Sequence, residues 1–272
     1  MLSIVIVSYK RKADLKECIS AINERVFIDY EIIVVNNDFV NLGLTSEFIR
    51  EYKPNANLGV AQGRNFGASK ASYDNLFFID DDAILDSDIT TETLNKMTYE
   101  VPILAVISKD YFTNELRLNE NVSVNSLGYC NKYVGVGHFI KTSFFKELEG
   151  YDSVSKYGME EFNIISKMLN LNKKIKLSNI VVRHKKSDLG RDLSFESKVK
   201  LGKSKISYIS KNTPAEIIVI NFLFWTFYCF AKSKNFLPIS LLINNLKSKK
   251  DSRFNRLNFY KTSMQTNTNI FY

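Results

Sequence analysis

The stretch Leu76-Phe77-Phe78-Ile79-Asp80-Asp81-Asp82 joins a short apolar run directly to three acidic side chains. Four consecutive apolar residues predict a β-strand that is buried on both faces, as in a parallel sheet. Three carboxylates at the end of such a strand repel one another unless a cation lies among them, and carboxylate oxygens suit Mg²⁺ or Mn²⁺. A solvated acidic turn is the alternative interpretation of the same residues.

The residues before this stretch alternate between strand and helix patterns. Residues 2–7 and 32–35 are β-branched apolar runs, which predict two further buried strands. A first helix is predicted from near Asp14, and residues 58–72 predict a second. This alternation predicts an α/β fold with a parallel sheet wrapped by helices.

Polar residues follow each predicted strand, at the sheet edge where open α/β folds bind their ligands. Besides the three aspartates, these residues are Ser8, Tyr9, Lys10 and Arg11 after the first strand, and Asn36, Asn37 and Asp38 after the second. We therefore expect the functional site at this edge.

Together these segments resemble the family 2 glycosyltransferases, which have the Rossmann-like GT-A fold. The matching segments occur in the family's order over about two-thirds of the chain, at residues 4–11, 32–37, 57–67, 78–82, 150–152, 158–161 and 184. The middle segment, N-x-G-x-x-x-G-x-N-x-G, is most similar to the rhamnosyltransferase-like members that build polysaccharides. Its glycines Gly59, Gly63 and Gly67 are expected to let a helix pack closely on the sheet.

The resemblance implies a mainly parallel GT-A catalytic domain at residues 1–190, with a nucleotide half at about 1–82 and an acceptor half at about 83–190. A basic helical segment at 191–272 follows it. The implied nucleotide-sugar contacts are Ser8, Tyr9, Arg11, Asn36, Asn37, Asp38, Arg64, Asp80, Asp81 and His138. Asn37 stands where the family usually reads the base with an Asp, and UDP- or dTDP-sugars are the favoured donors.

The resemblance also implies the metal ligands and the catalytic base. Asp82 matches the direct ligand of Mn²⁺ or Mg²⁺, with His184 and Asp80 completing the set. Glu161 matches the base that activates the acceptor hydroxyl, and Glu160 is the alternative. Without the family, two acids at the start of a helix would need no role beyond favourable interaction with the helix dipole.

The net charge of +8 is unevenly distributed along the 272 residues. Residues 1–184 hold 21 Lys+Arg and 24 Asp+Glu, whereas residues 185–272 hold 16 and 5, a net charge of +11. Because the motif-bearing part is slightly acidic, nucleic acid is not expected as a partner. Three scattered cysteines and an N-terminus without a basic signal region predict a cytoplasmic protein.

The basic segment contains two apolar runs, at residues 217–231 and 236–243, flanked by Lys and Arg. At 15 residues the first run is shorter than the roughly 20 that span a bilayer. Interfacial binding to an anionic membrane is one interpretation, and the protein would then be peripheral on the inner face of the cell membrane. Packing on the catalytic domain, homo-oligomerisation through these helices and a true span are the others.

The expected function is therefore inverting, metal-dependent transfer of a sugar to a glycan or lipid-linked acceptor in surface polysaccharide synthesis. A sugar nucleotidyltransferase is a second interpretation, although Ser8-Tyr9-Lys10-Arg11 lacks the glycine-rich phosphate loop of that class. A non-catalytic protein that binds sugar nucleotides or serves as a membrane scaffold is the third.

Overall fold

The computed structural model describes residues 1–117, 122–152, 158–185, 195–233, 236–266 and 268. The strands are β1 Leu2–Ser8, β2 Tyr30–Asn36, β3 Ile49–Tyr52, β4 Asn75–Ile79, β5 Ala83–Leu85, β6 Ile103–Asp110, β7 Gly137–Lys141 and β8 Ile175–His184. The helices are α1 Lys12–Arg25, α2 Gly59–Ser69, α3 Thr91–Asn95, α4 Thr142–Glu147, α5 Glu160–Asn170, α6 Phe195–Ser210, α7 Ala215–Ser233, α8 Ile239–Lys247 and α9 Arg256–Thr266.

The structure confirms the elements that the apolar runs predict. Strands β1, β2 and β4 are almost entirely buried, as expected for strands covered by helices on both faces. Helix α1 begins slightly earlier than predicted, and it buries Leu15, Cys18, Ile19 and Ile22 against the sheet. The four-residue strand β3 was not predicted, because its sequence Ile-Arg-Glu-Tyr has no apolar run.

One eight-stranded sheet has the order β3-β2-β1-β4-β7-β6-β8-β5. The first four strands in this order pair in parallel, as predicted. Beyond β4 the sheet becomes mixed, because β7 pairs antiparallel with both β4 and β6, and β5 pairs antiparallel with β8. The fold is therefore mixed α/β, and flanking helices cover the sheet.

Two antiparallel pairings bring distant parts of the chain to the carboxyl end of β4. Ile79 lies opposite Gly137 in the β4–β7 pair, so the residues just before β7 meet the acidic turn. Ala83 lies opposite His184 in the β5–β8 pair, which places the end of β8 beside the same turn.

Helix α2 approaches β1 closely through two of its glycines. A Cβ atom on Gly67 would lie 2.4 Å from Cγ1 of Val5, and one on Gly63 would lie 2.7 Å from Cγ1 of Val7. This confirms the predicted packing role for both positions. Gly59 differs: it has a φ of +71° and opens the helix at the edge of the site cavity.

The C-terminal helices pack on the sheet domain. Ile209 of α6, Ile217 of α7 and Phe259 of α9 belong to the same apolar core as Ile164 and Met168 of α5. Within the described ranges, no helix is long and apolar enough to cross a membrane. The boundary predicted near residue 190 lies outside the described residues.

The substitution Gly67→Ala should lower the free energy of unfolding, because the new methyl group overlaps Val5. Overpacking of this kind costs about 1–3 kcal/mol, more than the helix propensity of about 1 kcal/mol that alanine gains over glycine. Urea unfolding followed by circular dichroism measures the change.

The matched control is the double variant Gly67→Ala/Val5→Ala, in which the overlapping Cγ1 atom is gone. The double variant should lose less unfolding free energy than the sum of the losses in the two single variants. Additive effects of the two substitutions would show that the close approach of α2 to β1 does not limit this position.

Candidate active site

A cavity of about 640 Å³ lies at the carboxyl ends of the central parallel strands. The functional site was predicted at this edge of the sheet, from the polar residues that follow each strand. The chemically important residues that line it are Tyr9, Lys10, Arg11, Asn37, Gly59, Arg64, Asp80, Asp81, Asp82, Lys132, Tyr133, Gly135, Met159, Glu160, Glu161, Phe162 and His184.

The acidic turn after β4 is held in place by backbone hydrogen bonds. The Asp80 N–H donates to the Val136 carbonyl at 3.1 Å, and the Ala83 N–H donates to the Asp80 carbonyl at the same distance. The Lys185 N–H donates to the Asp82 carbonyl at 2.9 Å. The turn is therefore tied to the segment before β7 and to the end of β8.

Asp80, Asp82 and His184 form a cluster that fits a divalent cation. One ligand atom from each residue lies within 4.8 Å of the others, and Nε2 of His184 lies 3.3 Å from Oδ1 of Asp82. Carboxylate oxygens and an imidazole nitrogen are suitable ligands for Mn²⁺, and carboxylate oxygens suit Mg²⁺. The structure thus brings together the three residues predicted as metal ligands.

Arg11 offsets part of the negative charge of this cluster. Its Nη1 lies 2.8 Å from Oδ2 of Asp82 and 3.6 Å from Oδ2 of Asp14. Arg11 immediately precedes α1, so the end of β1 carries this cation to the acidic turn.

Asp81 does not belong to the cluster of possible metal ligands and is largely buried. Burial raises the pKa of Asp81 to about 7, although a hydrogen bond from Ser8 opposes the shift. Its Oδ2 atom has no hydrogen-bond partner within the described part of the chain. Ser8, predicted as a donor contact, is buried and does not line the cavity, and its hydroxyl hydrogen-bonds to the Asp81 carboxyl.

Arg64 lies in the wall between the metal cluster and the predicted base. Its Nη2 donates to Oδ1 of Asp80 at 2.7 Å and to the Gly135 carbonyl at 2.6 Å, and its Nη1 lies 3.4 Å from Oε1 of Glu160. Burial favours a lower pKa for Arg64, but Asp80 and the other nearby groups outweigh it and raise that pKa above its ordinary value.

Glu160 and Glu161 open helix α5 after Met159, whose φ of 69° turns the chain into the helix. Burial, followed by the charge of Glu160, raises the pKa of Glu161 to about 8. Burial also raises the pKa of Glu160, against the opposing effect of Arg64. With a pKa of about 8, the Glu161 carboxylate can take up a proton near neutral pH.

Gly135 makes room for the Glu161 carboxylate, a role that was not predicted from the sequence. A Cβ atom at position 135 would lie 2.3 Å from Oε1 of Glu161. Tyr133, Met159 and Phe162 complete the wall around the base and were missed as well. The available signal was the pair Gly135 and Gly137 at the start of a strand, because glycines there mark a close backbone approach without identifying its partner.

The predicted base-reading turn uses much of its hydrogen bonding internally. Asn37 lines the cavity, but its Oδ1 accepts the Leu58 N–H at 3.2 Å and its Nδ2 donates to the Gly59 carbonyl at 3.4 Å. Asn36 is fully buried, and its Nδ2 donates to the Val40 carbonyl and to Glu51.

Asn36 and Asp38, also predicted as donor contacts, do not line the cavity. The Oδ1 atom of Asn36 accepts the Asp38 N–H at 3.0 Å. Asn36 therefore shapes the turn that presents Asn37.

His138, the last of the predicted donor contacts, does not line the cavity either. It is fully buried behind the cavity, with its ring against Phe78 and Tyr133, and its Nε2 is 2.8 Å from the Tyr151 hydroxyl. Burial and then the charge of Arg64 lower its pKa well below the ordinary value. His138 is thus a neutral core residue that supports Tyr133, which lines the cavity.

Sequence comparison identifies relatives of this chain. The family model described as "Glycosyl transferase family 2" matches residues 3–152. A protein of Haemophilus influenzae described as an "Uncharacterized protein" is 30% identical over 171 residues, which cover 52% of this chain and 87% of the relative. An "Uncharacterized glycosyltransferase" of the same organism is 31% identical over 86 residues, which cover 30% of this chain and 29% of the relative.

Solved structures with the same fold have low sequence identity to this chain. The mannosyltransferase PcManGT from Pyrobaculum calidifontis, in complex with GDP-Man and Mn²⁺, has a TM-score of 0.55 at 13% identity, with 76% of this chain and 62% of that chain covered. GalNAc-T7 with UDP, GalNAc and Mn²⁺ has a TM-score of 0.62 at 14% identity, with 100% and 55% covered. TarS residues 1–349 of S. aureus have a TM-score of 0.61 at 14% identity, with 90% and 78% covered.

These similarities confirm the family resemblance and the GT-A fold. The chain spans less than two-thirds of PcManGT and GalNAc-T7, so the likeness to those two extends over their shared fold. The family model covers more than half of the chain, including β1, β2, α2 and the acidic turn. The chain therefore belongs to glycosyl transferase family 2 and is a glycosyltransferase.

Proposed function

We propose that this glycosyltransferase moves a sugar, with inversion, from a UDP- or dTDP-sugar to a hydroxyl group of a glycan or lipid-linked acceptor in surface polysaccharide synthesis. One observation carries the proposal: the Asp80, Asp82 and His184 cluster and the Glu161 carboxyl line the same cavity. Metal-dependent inverting transfer uses a cation at the leaving diphosphate and a base at the incoming hydroxyl.

Asp80, Asp82 and His184 would hold a divalent cation, Mn²⁺ or Mg²⁺. When bound, the cation supplies Lewis-acid stabilisation of the negative charge that develops on the leaving diphosphate. Arg11, which pairs with Asp82, adds a positive charge from the protein at the same edge. Asn37 and Tyr9 line the cavity near the predicted base-reading turn.

Glu161 is proposed to remove the proton of the acceptor hydroxyl while the oxygen attacks the anomeric carbon. The pKa of about 8 makes its carboxylate a stronger base than an ordinary glutamate. A single displacement breaks the bond to the diphosphate as the new glycosidic bond forms, and it inverts the anomeric centre. The proton ends on Glu161.

The substitution Glu161→Gln should abolish most transfer, because glutamine cannot accept the proton. General-base catalysis contributes about 10²–10⁴-fold, and a loss of that size is expected in a radiolabelled transfer assay. Glu92→Gln, on an exposed position of α3, is the matched control. Near-normal transfer by Glu161→Gln would remove Glu161 from the proposed role and make Glu160 the candidate.

The rate of transfer should rise about tenfold per pH unit up to about pH 8 and then level off, since the deprotonated form of Glu161 is active. The same raised pKa makes ionisation of Glu161 unfavourable in the folded protein. The wild type should therefore lose stability relative to Glu161→Gln as the pH rises from 4.5 to 8, in thermal melts. A pH-independent difference in melting temperature would contradict the raised pKa.

The substitution Asp82→Asn should weaken Mn²⁺ binding at least about tenfold, because it removes a charged ligand. In a thermal-shift screen with Mn²⁺, UDP- and dTDP-sugars should raise the melting temperature of the wild type, whereas GDP-sugars should not. None of the three classes should raise the melting temperature of Asp82→Asn. Asp88→Asn, at an exposed Asp paired with Arg25, is the control. Stabilisation by GDP-sugars alone would contradict the proposed donor nucleotide. Equal Mn²⁺ affinity of Asp82→Asn and the Asp88→Asn control would contradict the role of Asp82 as a metal ligand.

We further propose that helices α7 and α8 bind an anionic membrane surface, which would place the protein peripherally on the cytoplasmic face. On α7, Ile220, Leu223, Phe224 and Phe227 follow helical spacing and are exposed, with Phe227 at 72%. The opposite face of α7 packs inward together with Met159, which also lines the cavity. An acceptor held at a membrane would thus lie near the base.

Charge supports a lipid surface as the partner. Residues 185–272 carry a net charge of +11, and anionic lipids attract such segments by about 1 kcal/mol per basic residue near the surface. On α8, Ile239, Ile243 and Leu246 are exposed beside Lys247 and Lys249. Apolar side chains flanked by lysines are typical of interfacial helices.

The double variant Leu223→Glu/Phe227→Glu should reduce co-sedimentation with phosphatidylglycerol vesicles at least about tenfold, because it removes two apolar side chains from the interface. Phe112→Glu, at an exposed position outside these helices, is the control. Phosphatidylcholine vesicles should bind all variants weakly. Equal sedimentation of the double variant and Phe112→Glu would overturn the membrane proposal. It would also be overturned if the wild type did not bind vesicles but formed a dimer that only Leu223→Glu/Phe227→Glu disrupts.

A further inference from the structure

The contacts of Arg64 differ from those expected of a nucleotide-binding residue. Its side chain is 3% exposed, and the described contacts of its Nη2 are with protein oxygens, one on Asp80 and one on the Gly135 backbone. Its Nη1 faces Glu160 at 3.4 Å. A donor phosphate would have to displace these partners before it could bind the same guanidinium edge.

We propose that Arg64 is a positioning residue, which keeps Glu160 ionised and aligned so that the neighbouring Glu161 serves as the base. This inference rests on the proposed function and extends it, because it gives a physical reason for the choice between two adjacent glutamates. It also assigns Arg64 a structural link between the acidic turn and the start of α5.

Two adjacent carboxyl groups in a buried site repel each other when both are charged. The pair would then share a proton and lose its definite base, unless a cation favours one member. Arg64 is the closest cation to Glu160 in the described structure, at 3.4 Å, and the Glu160 Oε2 atom has no hydrogen-bond partner among the described residues. The guanidinium therefore stabilises charge on Glu160 more directly than on Glu161.

The location of Arg64 follows from the packing of α2. Gly63 and Gly67 let this helix lie directly on β1, and the Arg64 side chain extends from it to Asp80 and Gly135. Gly135 is also the residue against which the Glu161 carboxylate lies. One guanidinium thus contacts the backbone that shapes the base site and the carboxylate that pairs with the base.

The test compares Arg64→Gln, Glu160→Gln, the double variant and the charge-retaining Arg64→Lys. Arg64→Gln should lower kcat by about 100-fold, the cost expected for a misplaced catalytic group. The rising limb of its pH–rate profile should move to higher pH. The double variant should recover at least about tenfold of that loss, because it removes the carboxylate that Arg64 neutralises. Arg64→Lys should fall between Arg64→Gln and the wild type, and it serves if Arg64→Gln does not fold.

Binding separates this role from a direct contact with the donor. By calorimetry, Arg64→Gln should bind UDP with Mn²⁺ with an affinity within about threefold of the wild type, because the guanidinium contacts protein oxygens. A factor of three in affinity is less than 1 kcal/mol. A loss of UDP affinity comparable to the loss of kcat, with no recovery in the double variant, would show that Arg64 contacts the nucleotide and would overturn the proposal.

A readout without catalysis keeps the inference distinct from the proposed reaction. In ¹³C-carboxyl titrations, with Glu161 assigned through Glu161→Gln, the Arg64→Gln variant should show a higher apparent pKa for the glutamate pair. The groups that face Glu161 and enter this titration are Arg64, Asp80, Tyr133, Tyr151 and Glu160. An unchanged titration in Arg64→Gln would overturn the positioning role whether or not transfer is detected.

Discussion

The balance of charge in the site cavity is the constraint on which the rest of this site depends. Asp80, Asp81, Asp82, Glu160 and Glu161 all line it. Carboxylates in such surroundings must be paired, protonated or bound to a cation. Arg11 pairs with Asp82, and Arg64 pairs with Asp80 and Glu160, whereas burial raises the pKa of Asp81 and of Glu161. Asp80, Asp82 and His184, which this arrangement brings together at one point of the cavity, provide the ligand atoms that suit a divalent cation.

The mixed half of the sheet delivers the partners that this balance requires. Antiparallel pairing of β5 with β8 places His184 beside Asp82, about a hundred residues away in sequence. Antiparallel pairing of β4 with β7 brings Gly135 to the acidic turn, where its carbonyl accepts from Arg64. The parallel half supplies Arg11 and, through the packing of α2, Arg64. Each half of the sheet is therefore needed to complete the site.

The C-terminal helices are part of the same structure and not a separate attachment. Helices α6, α7 and α9 share an apolar core with α5, the helix that carries Glu160 and Glu161. Met159 connects a second core, between α6, α7 and α8, to the cavity wall. Part of the basic charge is used internally, since Arg253 pairs with Asp251 and Arg256 pairs with Glu216. The exposed side chains of these helices include the apolar residues of α7 and α8 named above, together with several lysines.

The sequence alone determined the strands with continuous apolar runs, the position of the acidic turn and the family, because these depend on patterns within a few neighbouring residues. It also indicated Asp80, Asp82 and His184 as a set, through the order of the family's motifs. Tertiary structure decided what each polar side chain faces. His138, Asn36 and Ser8, predicted as donor contacts, are buried and do not line the cavity, and Gly135 was overlooked although it borders the base. Local sequence carries no record of such choices, since they follow from strand pairings and helix packing between residues far apart in the chain.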